Sequence, residues 1–139
     1  MIVKWINHKG KIKNISNMVS SVSWGGSTSQ VARNADISIL NAPNDKNITG
    51  LKIILRNGDF IALYENGKNI YFGQVLRTEK SSETGTITYS TYDFLYHLTQ
   101  STYTHKYKKK TPEYIAKSLC AVLNIKVGSI ARTKRTLNK

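Results

Sequence analysis

The chain has 139 residues, with 21 Lys and Arg against eight Asp and Glu and a net charge of +13. This length suffices for one ordinary domain with an appended helical piece and is too short for two full-size domains. No apolar run approaches the roughly 20 residues that a membrane-spanning helix needs, and a mean hydropathy of −0.37 is typical of a globular protein. One cysteine, Cys120, excludes an internal disulfide framework and a cysteine-based metal cluster.

Short strands with period-two alternation are predicted throughout the first forty residues. Turn residues separate these segments, and the alternation of apolar and polar residues is typical of half-buried strands. In the last segment, the register that buries Asp36 would leave a carboxylate without a partner, so the opposite face is predicted to point inward. The predicted strands are Ile2–Asn7, a short segment at Ile12–Ile15, Val19–Trp24, and Arg33–Leu40 with Ala35, Ile37 and Ile39 inward.

The centre of the chain predicts an antiparallel meander and a short helix. Asn66-Gly67 supplies two residues that accept a positive φ, which indicates a tight hairpin, and the polar stretch Lys80–Gly85 indicates a second reversal. Before the meander, Asn41–Asn47 is a loop by composition and Leu51–Leu55 is predicted to be a short strand. The predicted meander strands are Phe60–Glu65, Asn69–Thr78 and Thr86–Thr91, and Asp93 is expected to be the N-cap of a helix at Phe94–Thr99.

A second helix is predicted at 112–124. Thr111 offers an N-cap hydroxyl, Pro112 suits the first helical position, and Glu113 interacts favourably with the helix dipole. Cys120 lies on the apolar side of this helix and is expected to be a small core residue. The fold class is therefore predicted to be mainly β, a β-rich α+β fold with antiparallel strands and one or two short helices. The apolar stripe is Ile115, Leu119, Val122 and Leu123, with Lys117 outward.

Sequence motifs for catalysis and metal binding are missing. The three histidines, His8, His97 and His105, lie far apart in the sequence, and no HExxH motif occurs. Serine is plentiful but no GxSxG elbow is present, and the glycine-rich stretch at 25–30 lacks the spacing of a phosphate-binding loop, which favours a turn or bulge. The chain is therefore predicted not to be an enzyme and to use no metal or cofactor. Turn and capping roles are predicted for Asp36, Asp59 and Asp93.

Positive charge is distributed unevenly along the chain. Residues 1–100 hold eleven Lys and Arg against seven acidic residues, a net +4, whereas residues 101–139 hold ten against one, a net +9. Such basic runs bind nucleic acid, anionic headgroups or acidic protein surfaces, and the nearby rings of Tyr103 and Tyr107 would suit stacking on bases. A solvated loop and a frayed tail are the alternative. The residues nominated for contact with a polyanion or a partner are Lys106, Lys108, Lys109, Lys110, Arg132, Lys134 and Arg135.

Spaced motifs run through the chain in a definite order. They are Val22–Gly26, Ala32-Arg33, Ile37–Leu40, Gly58-Asp59, Tyr71–Gly73, Thr88–Asp93 with Leu98, and Thr111–Glu113 with Ile115, Ala116, Cys120 and Gly128. Together they resemble the amino-terminal part of the XkdQ/YqbQ-like hub proteins of contractile phage tails, prophage elements and phage-tail-like bacteriocins. Members of that family continue well beyond position 139, so the chain resembles the first barrel and the start of the next segment. The basic ending has no clear counterpart in the family.

The resemblance implies a structural role. Hub proteins of this kind are similar to the trimeric baseplate hub of large contractile phages, whose tail-tube-like domains form a ring between the tail tube and the central spike. The resemblance implies a tail-tube-like antiparallel β-barrel or sandwich at 1–100, with the helix at 93–99, and a further segment at 101–139 with the basic loop, helix 112–124 and the basic tail. It also implies a homo-oligomer, a trimer in the full-length hub, with tail tube and spike proteins as partners.

The expected location of the protein is inferred from the same resemblance and from the first residues of the chain. The expected place is the baseplate of a virion or phage-tail-like particle. The sequence MIVKWINHKGKIK lacks the apolar core of a secretory signal, so no signal peptide is expected and assembly would take place in the bacterial cytoplasm. The alternative function, from charge alone, is a small basic β-barrel that binds nucleic acid or another polyanion.

Overall fold

The structure is a computed structural model that describes residues 1–40, 54–81 and 85–137. These residues form one antiparallel sheet of seven strands, a 3-10 turn at Ser16–Met18 and two α-helices. The predicted β-rich α+β class, with antiparallel strands and two short helices, is thereby confirmed. The elements are β1 Ile2–Ile6, β2 Ile12–Asn14, β3 Val19–Gly25, β4 Asn34–Leu40, β5 Phe60–Glu65, β6 Lys68–Ser81, β7 Thr86–Tyr92, α1 Tyr96–Gln100 and α2 Pro112–Val122.

The strand order places N-terminal strands on both sides of the central meander. It is β2-β1-β5-β6-β7-β4-β3, and every neighbouring pair is antiparallel. Because β5, β6 and β7 are consecutive neighbours, the predicted meander is confirmed. The long strand β6 pairs with β5 along its first half and with β7 along its second half, and the two pairings overlap at Gln74. In the described part of the chain, β2 and β3 are the edges of the sheet.

The first hairpin of the meander closes through the predicted turn. Asn66 has φ 48° and Gly67 has φ 76°, and the flanking residues Glu65 and Lys68 are paired. Two successive positive φ values characterise a type I′ turn, whose twist matches that of the strands it joins. The local sequence signal therefore determines the pairing next to the turn, and an irregularity between Leu63 and Tyr64 shifts the register farther along the hairpin.

Some sequence predictions fall wholly or partly outside the described residues. The predicted loop at 41–47 is one of them. Of the strand predicted at Leu51–Leu55, only Ile54 and Leu55 are described, and neither belongs to a strand, although Leu55 is buried. The predicted reversal after β6 contains residues 82–84, which are also outside the described ranges, and β6 itself extends past its predicted end.

The buried face of the sheet is the one that the alternation predicts. In β4, Ala35, Ile37 and Ile39 are at most 2% exposed, whereas Asp36 and Ser38 are only partly buried. The inward register predicted for this strand is therefore confirmed. The buried residues form one apolar cluster contributed by five strands, the 3-10 turn, Ile15 just before that turn, and Leu55. Its members are Val3, Ile15, Met18, Ala35, Ile37, Ile39, Leu55, Ile61, Leu63, Tyr71, Val75, Ile87 and Tyr89.

Tyr71 lies across Gly73 of the same strand, inside this cluster. A methyl group on Gly73 would collide with the phenol ring of Tyr71 and would lie 2.8 Å from the carbonyl oxygen of Tyr92. The Thr91 hydroxyl donates to the carbonyl oxygen of Ala35 at 2.9 Å, so the Tyr71 hydroxyl donates to Thr91 Oγ1, also at 2.9 Å. Burial raises the pKa of Tyr71 to about 12, and the phenol therefore remains a donor at neutral pH. These two hydrogen bonds connect β6, β7 and β4.

Replacing Tyr71 by Phe tests this pair of hydrogen bonds. We expect the free energy of unfolding to fall by about 1 kcal/mol, because Thr91 loses a hydrogen-bond donor in a buried site. Tyr64→Phe is the matched control, since the Tyr64 ring contacts Lys4 and its hydroxyl bonds to none of the described residues. Urea unfolding followed by circular dichroism measures both variants, and equal losses would contradict the role given to the Tyr71 hydroxyl.

Asp59 is a buried carboxylate that connects the start of β5 to β1 and to the preceding turn. It is 1% exposed and accepts hydrogen bonds from the backbone N–H of Arg56 at 2.9 Å and of His8 at 3.0 Å. The indole Nε1 of Trp5 donates a third at 2.9 Å. Burial alone would raise the pKa of Asp59, but these hydrogen bonds outweigh it and hold the pKa below its ordinary 3.8. The predicted turn role of Asp59 is confirmed.

The chain divides into two compact units, Met1–Asp93 and Phe94–Lys139. In the second unit, α1 begins at Tyr96, and its N-cap position lies two residues after Asp93. The prediction that Asp93 occupies the N-cap position is therefore wrong. The Asp93 carboxylate accepts hydrogen bonds from the backbone N–H of Arg33 at 3.2 Å and from its guanidinium Nε at 3.4 Å, so this acid connects β7 to the start of β4.

The helix α2 begins as predicted and ends earlier. Pro112 occupies the first helical position and Thr111 the N-cap position, although the Thr111 hydroxyl makes no capping hydrogen bond. At the other end, Asn124 has φ 54°, and the N–H of Ile125 donates to the carbonyl oxygen of Cys120 at 2.8 Å. This pattern is a Schellman motif, in which an Asn in the left-handed region closes the helix. The helix therefore ends two residues before 124.

Candidate interaction surface

The three histidines have different surroundings in the described parts of the chain. No group of three or more His, Cys, Asp or Glu side chains there is placed to hold a metal ion. The His8 Nδ1 lies 3.6 Å from a carboxylate oxygen of Asp59, His97 belongs to α1, and His105 lies between two tyrosine rings. None of the helices described is both long and apolar enough to cross a membrane.

An antiparallel bridge brings the two basic segments of the second unit together. Lys110 and Leu137 exchange both backbone hydrogen bonds, at 2.7 Å and 3.3 Å. A further link joins the Thr133 hydroxyl, as donor, to the Glu113 carboxylate in the first turn of α2 at 2.5 Å. The two segments therefore meet at the bridge, near the first turn of α2, and because the pairing is antiparallel, 106–109 and 132–135 lie on opposite sides of it. Their exposed cationic side chains form what we call the basic surface. It consists of Lys106, Lys108, Lys109, Lys110, Arg132, Lys134 and Arg135.

The basic surface has a single acidic side chain in its own unit. Among residues 94–139, ten are Lys or Arg and only Glu113 is acidic. The hydrogen bond from Thr133, assisted by the backbone N–H of Glu113, lowers the pKa of Glu113 to about 2, so this carboxylate is charged at neutral pH. One negative charge leaves the unit at +9. Since the screening length in physiological salt is about 8 Å, neighbouring cations on this surface repel one another and attract anions.

The aromatic rings beside these cations stack on one another. The ring centroids of Tyr103 and His105 are 5.9 Å apart, and those of His105 and Tyr107 are 4.6 Å apart. Tyr107 is buried, and its hydroxyl donates to Ser118 Oγ at 3.2 Å. The sequence suggested rings available for stacking on bases, but only Tyr103 is substantially exposed. Tyr107 therefore attaches the basic loop to α2, and His105 and Tyr103 stack outward from it.

The two edge strands of the sheet, β3 and β2, each expose an apolar side chain. On β3, which pairs with β4, Trp24 is 43% exposed. On β2, which pairs with β1, Ile12 is 62% exposed. In the described part of the chain neither strand has a second neighbour. An edge of this kind is a template for pairing with another chain.

The outer face of α2 forms a shallow open groove. Its lining includes Tyr114, Lys117, Ala121 and Val122, and the ammonium of Lys110 lies 4.5 Å from the centre of the Tyr114 ring. Val122, which the sequence assigns to the buried stripe, is 52% exposed. The stripe prediction is wrong at this position, which is the last residue of the helix.

Two features of these surfaces are missed by sequence reasoning. The bridge from Lys110 to Leu137 is a single residue pair, so it produces no alternation that could reveal it. The edge position of β3 depends on the strand order, since β4 pairs with β7 on its other side. The alternation of Val22 and Trp24 was a signal for a strand but not for an edge.

Comparisons with known proteins give a family and a fold. The family model described as YQBQ-like matches residues 22–139. The crystal structure of the prophage MuSo2 43 kDa tail protein from Shewanella oneidensis is similar with a TM-score of 0.71 at 17% identity, over 99% of this chain and 43% of that chain. At this identity the likeness shows the fold alone, and a search of the curated proteins found no match. Because the family model covers most of its length, the chain belongs to the YQBQ-like family.

Proposed function

We propose that the chain is a structural component of a phage-type contractile tail, where it forms part of the baseplate hub ring that joins the tail tube to the central spike. Family membership and the fold shared with the prophage tail protein of Shewanella oneidensis support a place in a tail. The observation that carries the ring is the pair of edge strands β2 and β3, which have no second neighbour among the described residues and which expose apolar side chains. In this proposal the protein acts by assembly and not by catalysis.

Edge-to-edge pairing would close such a ring. If β3 of one copy pairs with β2 of the next copy, each contact uses two different surfaces, and repeated contacts of this type close when the rotation between copies divides a full turn. The new backbone hydrogen bonds would remove both exposed edges, and Trp24 and Ile12 would become buried. This arrangement also protects the protein from unspecific edge pairing.

The remaining parts of the proposal concern organisation and place. Residues 1–100 would be the tail-tube-like domain, and residues 101–139 would begin a further segment of the hub. The full-length hub would be a trimer that binds the tail tube and spike proteins. It would assemble in the bacterial cytoplasm and remain in the baseplate of the virion or phage-tail-like particle.

Substitutions at the two edges test the ring. We expect the protein to sediment as a trimer and both Ile12→Lys and Trp24→Lys to sediment as monomers, because a charged side chain at an edge opposes strand addition. A mixture of the two variants should give dimers, since each pair of molecules retains one intact β2 and one intact β3 edge. Analytical ultracentrifugation measures all three samples.

The control for these variants is Ile54→Lys. Ile54 is 68% exposed and lies outside every strand, so this variant gains the same charge and should remain a trimer. A wild-type protein that stays monomeric at high concentration would contradict the ring. A mixture of edge variants that stays monomeric would contradict pairing between β2 and β3.

A further inference from the structure

We propose that the basic surface of the second unit binds the phosphate backbone of duplex DNA without reading its sequence. This activity is independent of ring formation, since the sheet edges belong to the first unit and the basic surface belongs to the second. The observation that carries it is a pair of contacts, Lys110 with Leu137 and Thr133 with Glu113, which bring one end of each basic segment to the first turn of α2. A surface of this kind is the electrostatic footprint of proteins that bind nucleic acid.

The charge of the whole protein disfavours a second copy as the occupant of this surface. Each copy has a net charge of +13, and the first unit is itself basic. Two of its acidic residues, Asp59 and Asp93, are buried in hydrogen bonds. Repulsion between copies therefore favours a different molecule, of high negative charge, as the partner. Duplex DNA carries about one negative charge per 1.7 Å of helix axis, and neutralising its phosphates releases condensed counterions.

The kinds of cation in the surface favour nucleic acid over an acidic protein. Five of the seven residues are lysines and two are arginines. The buried centres of protein interfaces are depleted of lysine, because its ammonium is strongly hydrated and its side chain is flexible. An exposed lysine loses little when it approaches a phosphate, since the phosphate backbone of DNA also remains hydrated. All seven side chains are exposed.

The rings favour a duplex over a single strand. Proteins that bind single strands without sequence preference stack successive bases on several open aromatic side chains. Here Tyr107 is buried, with its hydroxyl bonded to Ser118 of α2. The Tyr103 and His105 rings are exposed but stack on each other, so the described part of the loop offers no series of separate open rings to successive bases. In a duplex the bases are paired with each other, so the groups that this surface can contact are the phosphates.

The experiment measures the binding of a fluorescent duplex of about 20 base pairs by anisotropy, at several salt concentrations. The test variant is K106Q/K108Q/R132Q/K134Q/R135Q. We expect it to lose about 100-fold or more in affinity at 0.1 M salt, because each phosphate contact contributes close to tenfold at that concentration. The slope of log affinity against log salt should become correspondingly shallower.

The matched control removes five charges from the first unit. In K9Q/K11Q/K13Q/K68Q/K80Q all the replaced lysines are exposed, and the net charge equals that of the test variant. We expect its affinity to change less than about threefold, because phosphate contacts act at short range in salt. Equal losses in the two variants would overturn the proposal, since binding would then depend on net charge alone.

Further probes separate duplex DNA from other anions and from a folding defect. A single-stranded dT oligonucleotide or a poly-glutamate of equal charge that binds as tightly as the duplex overturns the proposal, and so does the absence of duplex binding near 0.1 M salt.

If the test variant does not melt cooperatively, Lys106→Gln and Lys134→Gln are measured singly, and each should make the salt slope shallower by about one. K106R/K108R/K134R should bind like the wild type. Sedimentation of the same variants reports on the ring separately.

Discussion

Replacing Gly73 by Ala should destabilise the protein by about 3 kcal/mol, through overpacking and the loss of a buried hydrogen bond. The added methyl group would collide with the Tyr71 ring and would lie 2.8 Å from the Tyr92 carbonyl oxygen. The ring would have to leave its position, and its hydrogen bond to Thr91 would break. Urea unfolding at neutral pH measures the loss.

The control for Gly73→Ala is Gly25→Ala. Gly25 is also in a strand, and a methyl group there meets nothing within 4 Å, so we expect a neutral or slightly stabilising effect from reduced entropy of the unfolded chain. Combining Gly73→Ala with Tyr71→Phe should restore part of the loss, because the phenol oxygen is the nearest atom to the new methyl group. Unchanged stability of Gly73→Ala would show that the ring has room to move.

Replacing Asp59 by Ala should be about as damaging. The change removes the acceptor for the indole of Trp5 and for the backbone N–H groups of His8 and Arg56. Buried donors left without partners are costly, and we expect a loss of about 3–5 kcal/mol at neutral pH. Asp59→Asn, which keeps one acceptor oxygen, should fall between the wild type and Asp59→Ala.

The effect of Asp59 should also depend on pH. Its pKa in the folded protein is lower than 3.8, so the charged form stabilises the fold, and this contribution is complete above the unfolded pKa. It is lost as the pH falls through the folded pKa. The stability difference between wild type and Asp59→Asn should therefore be largest at pH 7 and smaller at pH 3. Glu65→Gln, at an exposed position, is the control, and the same trend in this variant would contradict the assignment.

Strands and turns of the first unit could be predicted from the sequence because their signals are local. Alternation within β4 is enough to decide which side of the strand is buried, since the other register would bury Asp36. The turn at Asn66-Gly67 needs only the preference of these two residues for a positive φ. The resemblance to a family added the expectation of an antiparallel β fold, and the strand pattern supports it independently.

Predictions that fail depend on contacts between distant parts of the chain. Asp93 looks like an N-cap, but its carboxylate contacts Arg33, which is 60 positions away in the sequence. The rings at Tyr103, His105 and Tyr107 give the same sequence pattern whether they face bases or each other. For the basic surface, the sequence indicates which residues are charged, and only the backbone bridge shows that the two segments meet at Lys110 and Leu137.

The pairing of β4 with β7 determines when the sheet can be completed during synthesis. Asn34 pairs with Tyr92 and Leu40 with Thr86. A nascent chain that ends within β5 therefore contains β3 and β4 but lacks β7, the strand that pairs with the other edge of β4. Contacts of such long sequence separation form slowly and leave apolar surface exposed meanwhile. A ribosome-bound intermediate of this protein would therefore present β4 to chaperones until the third meander strand has left the exit tunnel.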